Sequence, residues 1–155
     1  MNVRHIAPLL TILVLLSACH NNVYFSGSKA LDEQGWPLDD TKTFLVNVTD
    51  TAQIYNFFVD LRVAETYPYA NAFLFINTTF PDGSIAHDTL ECPLAAVDGR
   101  WYGKQNGRYI DNRYYLRKQV RFPTTGDYLF TMAHAMRDSN ATGFKNIGLR
   151  IEEAL

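Results

Sequence analysis

The sequence predicts an all-β protein, an antiparallel β-sandwich of immunoglobulin-like or jelly-roll topology with about seven strands. Three observations predict it. From Tyr67 to Cys92, two runs rich in aromatic and β-branched residues flank Pro81-Asp82-Gly83-Ser84, a turn sequence that favours antiparallel pairing. Elsewhere side chains alternate with period two, as where Phe44, Val46 and Val48 interleave with Leu45, Asn47 and Thr49. No stretch has the spacing of an amphipathic helix of useful length. Strands with one polar side each cannot bury their apolar sides in a single flat sheet, whereas two sheets packed face to face bury both.

The chain opens with a targeting pattern. Arg4 and His5 form a short basic start, residues 6–16 are apolar apart from Pro8 and Thr11, and Leu16-Ser17-Ala18-Cys19 follows at once. That is the layout of a secretory signal. The apolar run is about half of the roughly 20 residues a membrane-crossing helix needs, which disfavours a permanent span. Leu-Ser-Ala-Cys has the form of a bacterial lipobox, in which small residues before the cysteine fit the processing enzyme. Residues 1–18 are therefore read as a lipoprotein signal peptide, and Cys19 as the lipidated residue. Several acyl chains such as palmitate, each buried CH₂ contributing about 0.8 kcal/mol, tether a domain permanently where one chain would not. His20-Asn21-Asn22 lacks the aspartate that retains lipoproteins at an inner membrane, so the expected location is the outer membrane, facing the periplasm.

With Cys19 acylated, Cys92 is the only thiol left, so no disulfide supports the exported domain. Stability must come from packing, to which 10 Phe and 9 Tyr contribute large buried areas. Cys92 itself reads as a small buried hydrophobe in a strand. Residues 19–40 read as the lipidated N-terminus and a linker, with Tyr24-Phe25 and Trp36 as isolated anchors, and residues 41–155 as the single sandwich domain. Strands are expected over 42–49 and 54–63, joined by a turn at Asp50-Thr51-Ala52-Gln53, and then along both arms of the 67–92 hairpin. The glycine-punctuated, aromatic stretch 95–112 reads as an ordered loop. Alternation returns in 113–122, with Tyr114, Leu116, Lys118, Val120 and Phe122 on one face. Pro123–Asp127 turns the chain into a strand carrying Tyr128, Phe130 and Met132, residues 133–144 hold a short helical turn or an irregular loop, and Ile147, Leu149 and Ile151 mark the last strand.

Segments spread over the chain carry a family resemblance. Besides the lipobox they are Tyr67-Pro68-Tyr69-Ala70-Asn71-Ala72-Phe73-Leu74-Phe75, Phe80-Pro81-Asp82-Gly83, Asp88-Thr89-Leu90-Glu91, Asp98-Gly99-Arg100-Trp101-Tyr102-Gly103, Val120-Arg121-Phe122-Pro123, Ala135-Met136-Arg137 and the stretch from Gly143 to Glu152. In this order they resemble the GldH family of gliding-motility lipoproteins of the Bacteroidetes. The resemblance implies a lipoprotein of the gliding machinery with envelope proteins of that or an associated secretion apparatus as partners. It carries over no catalytic residue and no cofactor.

The residues themselves point to no chemistry. His87 and His134 stand without the spacing of a zinc site, no Gly-x-Ser-x-Gly occurs, and Asp39-Asp40 sits in a turn where capping explains it. The expectation is a protein that is not an enzyme, with no metal and no cofactor. Charge is divided unevenly: residues 29–98 hold three basic and eleven acidic side chains, and residues 99–150 ten basic and three acidic. Arg100, Lys104, Arg113, Arg117 and Arg121 are interleaved with Trp101, Tyr102, Tyr114 and Tyr115. Complementary strands that cancel across the sandwich explain this; so does a basic, aromatic surface for an acidic partner. Two functions follow: a non-catalytic lipoprotein docking on envelope proteins through residues 98–121, or a glycan-binding module stacking sugars on Trp101 and Tyr102. Nucleic acid is no partner in this compartment. Asp50-Thr51-Ala52 and Asp88-Thr89-Leu90 also match a short O-glycosylation pattern of exported proteins, at Thr51 and Thr89.

Overall fold

The computed structural model describes residues 22–154; the signal peptide and Cys19 lie outside the described residues. In chain order the strands are β1 (Val23–Ala30), β2 (Trp36–Pro37), β3 (Lys42–Val48), β4 (Tyr55–Ala64), β5 (Asn71–Thr79), β6 (Ile85–Pro93), β7 (Lys104–Asn106), β8 (Tyr109–Val120), β9 (Gly126–His134), β10 (Asn140–Ala141) and β11 (Phe144–Glu153). They make a five-stranded sheet in the order β1-β11-β4-β8-β7, a four-stranded sheet in the order β3-β9-β5-β6, and a two-stranded ribbon of β10 and β2. All pairings are antiparallel. The inward side chains of both sheets meet in one core: Tyr55, Phe57, Val59, Leu61 and Val63 from β4 face Phe44, Val46, Leu74, Ile76, Tyr128 and Phe130 from the opposite sheet. The all-β sandwich expected from the alternation is what the chain forms, and no helix occurs among the described residues.

The hairpin of β5 and β6 shows why its sequence signal is strong. Residues Asn71 to Thr79 pair in unbroken register with Pro93 to Ile85. At the tip, Asp82 Oδ1 accepts hydrogen bonds from Ser84 N at 2.9 Å and Ser84 Oγ at 2.6 Å, and Gly83 adopts φ +84°, a conformation open to glycine but costly for most side chains.

Three expectations need correction. The linker over 19–40 is not one within the described part: Val23–Ala30 is an edge strand paired to β11, and Trp36 is wholly buried, so the folded domain begins at Val23 rather than at 41. The segment reads as a linker because Ser26, Gly27 and Ser28 carry no apolar pattern; an edge strand is held by its backbone bonds, and at Gly27 a Cβ would lie 3.0 Å from the Phe44 ring. The expected loop 95–112 contains β7 and the start of β8, folded as a hairpin about Gly107 at φ +62°. Of the two alternatives for residues 133–144 the irregular segment is the one present, between the end of β9 and β10, and no helical turn forms there. The side-chain alternation expected over 113–122 is also interrupted, since Gln119 takes φ +51° and the register between β4 and β8 shifts there.

Among the described residues the buried polar side chains, tyrosines aside, are the neutral Asn112 and His134, of which only His134 titrates. It packs edge-on to Trp36, with ring centroids 5.6 Å apart, and its Nδ1 accepts from Met136 N at 3.3 Å while Nε2 has no hydrogen-bond partner. Burial lowers its pKa below the ordinary value, opposed by the Trp36 backbone and by Asp138. Because the unfolded chain takes up a proton first as pH falls below about 6.5, stability is lost progressively from there down to the lower folded-state value. The urea midpoint is accordingly expected to fall between about pH 7.5 and about pH 5, and to fall less in His134→Gln; equal losses would contradict a buried neutral imidazole.

Candidate functional site

The residues singled out in the 98–121 region do not form one site. Arg100 sits in an exposed turn in which its own N donates to Asp98 Oδ1 at 3.1 Å, and Gly99 takes φ +83°. Trp101 is half-buried, bridged to Ala95 and packed on the core, whereas Tyr102 is 62 % exposed. Gly103 is wedged so closely that a Cβ there would lie 2.5 Å from the Asp111 carbonyl oxygen. Lys104 is exposed on the edge strand β7, opposite Asp111. With Trp101 tucked against the core, Tyr102 alone is left as a sugar-stacking surface in this loop.

The arginines of β8 are engaged by carboxylates from the acidic half of the chain. Arg113 makes a forked pair with Asp60 of β4, at 2.6 and 2.9 Å, with Glu152 at 3.8 Å. Arg117 leaves its own sheet to reach Asp88 of β6, at 2.6 and 2.8 Å. In the reverse sense Arg62 of β4 holds Asp111 of β8, at 2.5 and 3.0 Å. The hydrogen bond from Arg62 keeps the Asp111 carboxyl below its usual range, and the bond that Arg113 donates to Asp60 raises the Arg113 pKa. Two of the basic side chains of residues 99–150, Arg113 and Arg117, are thus paired with the acidic half of the chain, and of the basic residues proposed as a surface only Arg100, Lys104 and Arg121 are exposed outside a salt bridge.

This ladder walls a shallow polar basin of about 470 Å³ on the outside of the five-stranded sheet, lined by Ser28, Asp60, Arg62, Asp111, Arg113 and Asn146. Neither Trp101 nor Tyr102 lines it.

The outside of the four-stranded sheet is built in the opposite way. Register places Leu45, Leu129, Thr79 and Ile85 in one cross-strand row, Thr43, Thr131, Asn77 and His87 in the next, and Ala133, Phe75 and Thr89 in the third. No carboxylate, ammonium or guanidinium stands in these rows, and Leu45, Phe75 and Ile85 are 59 %, 48 % and 54 % exposed. The next rows on the same face carry exposed Asp127 opposite Asn47 and exposed Glu91 opposite Phe73, so an apolar, uncharged centre lies between two acidic ends, the layout of apolar core and polar rim that interaction surfaces share. Sequence reasoning missed it although the signal was there: Leu45 and Phe75 fall on the outward phase of the alternation.

The remaining candidates have structural roles. Cys92 is fully buried, and burial pushes its thiol pKa up to about 12, which removes it as a nucleophile near neutral pH. His87 Nδ1 meets Asn77 Oδ1 at 2.7 Å on the outer sheet face, far from His134 in the core. Asp40 pairs with Lys42 at 2.7 Å, and its carbonyl accepts from the Trp36 indole at 2.6 Å. Thr51 is half-buried in its turn, whereas Thr89 is exposed on β6. Among the described residues no three His, Cys, Asp or Glu side chains converge as a metal site would require.

Comparison with known proteins supplies what the geometry alone does not. Residues 23–151 match the family profile described as GldH lipoprotein. The chain is 30 % identical to the gliding motility lipoprotein GldH of Flavobacterium johnsoniae over 160 aligned positions, covering 99 % of both chains. It is 26 % identical to the GldH homolog of Christiangramia forsetii, covering 92 % of this chain and 91 % of the other. Among solved structures, an arabinose-bound α-L-arabinofuranosidase aligns at 10 % identity with a TM-score of 0.39, over 77 % of this chain and 18 % of that one. The family profile reaches into every strand of both sheets, and the two relatives align along nearly their whole lengths, so the chain belongs to the GldH family of gliding-motility lipoproteins.

Proposed function

We propose that the chain is a non-catalytic protein of the gliding-motility machinery, lipidated at Cys19, cut before it, and held on the outer membrane facing the periplasm, where it works by binding other envelope proteins. That it is a lipid-anchored protein of the cell envelope follows from its family. The observation that supports the contact mechanism is the centre of the outer face of the four-stranded sheet, where Leu45, Phe75 and Ile85 stand exposed in three rows that hold no charged side chain, between Asp127 and Glu91. A face of this composition fits a partner that also presents an uncharged, apolar surface, because burying it removes hydrocarbon from water without stranding an ion. The 98–121 region is the alternative place for this contact and the weaker one, since Arg113 and Arg117 already hold Asp60 and Asp88. Thr51 and Thr89 are kept as proposed O-glycosylation sites, and Thr89 is the more exposed.

The test is recovery of crosslinked envelope proteins from the native cell. The triple change Leu45→Glu, Phe75→Glu and Ile85→Glu replaces only exposed side chains and is expected to abolish recovery while leaving the urea midpoint close to that of the parent. Arg100→Glu with Lys104→Glu is expected to leave recovery unchanged. Full recovery with the triple variant overturns the sheet-face reading, and loss with the second pair instead moves the contact to the 98–121 region.

A further inference from the structure

The two sheets do not close completely on each other. On the side where β8 faces β6, a cleft of about 210 Å³ runs between them, walled by Phe57, Phe80, Leu116, Val120, Phe122 and Phe130. An engineered cavity of about 150 Å³ lined by aliphatic and aromatic side chains stays dry and admits benzene, so this one has room for a longer piece of hydrocarbon. Its charged lining consists of Arg117, Asp88 and Arg121. Arg117 and Asp88 form the salt bridge that joins the sheets, with 49 % and 24 % of their side chains exposed, and Arg121 is exposed with no salt bridge of its own. These three groups mark the mouth, and together they carry one net positive charge. The bend that brings Val120, Arg121 and Phe122 to this place includes Gln119 at φ +51°, in the left-handed region that side chains other than Gly, Asn and Asp seldom occupy.

The position of the cleft in the fold is as informative as its lining. Val23 pairs with Glu152, and Tyr55 pairs with both Glu153 and Val120, so the start of β1 and the end of β8 lie at the same end of the sandwich. A file of rings links them: Tyr24 to Tyr55 at 4.9 Å between centroids, Tyr55 to Phe122 at 5.3 Å, and Phe122 to Tyr128 at 4.7 Å. Only residues 20–22 separate Cys19 from Val23, a reach of at most ~14 Å for an extended chain. The open end of an apolar cleft, with cationic groups at its rim, is therefore tied close to the surface that holds the lipid anchor.

We infer that this cleft takes one acyl chain bearing an anionic head, the hydrocarbon entering between the sheets and the head meeting Arg121 beside the Arg117–Asp88 bridge. The binding chemistry stands on the cleft itself, and only the membrane as source rests on lipidation at Cys19. A guanidinium suits a carboxylate or a phosphate, since its planar donors match either.

The experiment uses the full chain in its own membranes. Three photoactivatable probes with the same diazirine-bearing chain are compared: the fatty acid, the corresponding alcohol, and a phosphatidylglycerol carrying that chain. Labelled peptides are mapped by mass spectrometry. The fatty acid, the phosphatidylglycerol or both are expected to label residues 116–122 and 78–88, which also tells whether a free acid or a membrane lipid is the occupant. The alcohol is expected to label about tenfold less, the scale of one lost charge-assisted hydrogen bond, and Arg121→Glu to reduce labelling by the anionic probes by about the same factor. Arg100→Glu, an exposed arginine in a turn, is expected to change nothing. Labelling spread over the surface, equal labelling by the alcohol, or no response to Arg121→Glu overturns the inference. Fractionation of the unlabelled chain reads membrane anchoring independently, so a failure of the cleft and a failure of the anchor give different results.

Discussion

Replacing Trp36 with alanine is expected to cost about 3–5 kcal/mol of folding stability, the range for deleting a large buried aromatic side chain. Trp36 is 0 % exposed although its strand β2 is only two residues long. Its ring meets Phe144 edge-on at 5.5 Å and His134 at 5.6 Å, so one side chain from the ribbon plugs the end of the core between β9 and β11. The indole N–H donates to the Asp40 carbonyl at 2.6 Å, which holds the turn leading into β3. Truncation opens a cavity and leaves that carbonyl without its buried donor, and both effects act in the same direction. Urea unfolding followed by far-ultraviolet circular dichroism measures the loss. A change below about 0.5 kcal/mol, the scale of a surface substitution, would contradict the burial of this ring.

Gly103→Ala is expected to destabilise by about 1–3 kcal/mol, the usual cost of forcing an extra methyl into a filled space. The added Cβ would lie 2.3 Å from Asn112 Oδ1 and 2.5 Å from the Asp111 carbonyl. Asn112 has little room to yield, because it is a buried amide whose Nδ2 reaches the Ile110 carbonyl at 3.3 Å. The strain should appear locally as well as globally: amide hydrogen exchange at Tyr102, whose N–H is bonded to the Leu94 carbonyl at 2.9 Å, is expected to speed up. Unchanged stability and exchange would show that residues 94–103 are not clamped against β8.

Each of the seven long strands read from the sequence is present, because most bury chiefly one side and therefore write a period of two into the chain. β1 was invisible for the converse reason. It is an edge strand whose Gly27 and Ser28 are recruited by the backbone of β11 rather than by side-chain burial. The ribbon of β2 and β10 is too short to show any period, and Trp36 could be seen as an isolated anchor but not assigned to the core. Pairing between sheets was equally out of reach. The charge imbalance was legible, yet its meaning depended on β8 lying beside β4 and facing β6, which is where Arg113 and Arg117 find Asp60 and Asp88. The exposed face of the four-stranded sheet depends on lining up β3, β9, β5 and β6, and so does the cleft, which needs both sheets in place before it exists.

The pairing of β1 with β11 constrains when the molecule can become itself. Residues 23–30 are among the first of the folded part to be synthesised, and their partners, residues 146–152, are among the last. β11 is also interior to its sheet, with β1 on one side and β4 on the other. A strand pairing that closes almost the whole chain into one loop forms late, since the entropy of bringing such distant segments together is lost before any contact repays it. The five-stranded sheet therefore stays incomplete until β11 is available, and the first strand of the folded part waits for the last before either has its place in the sheet.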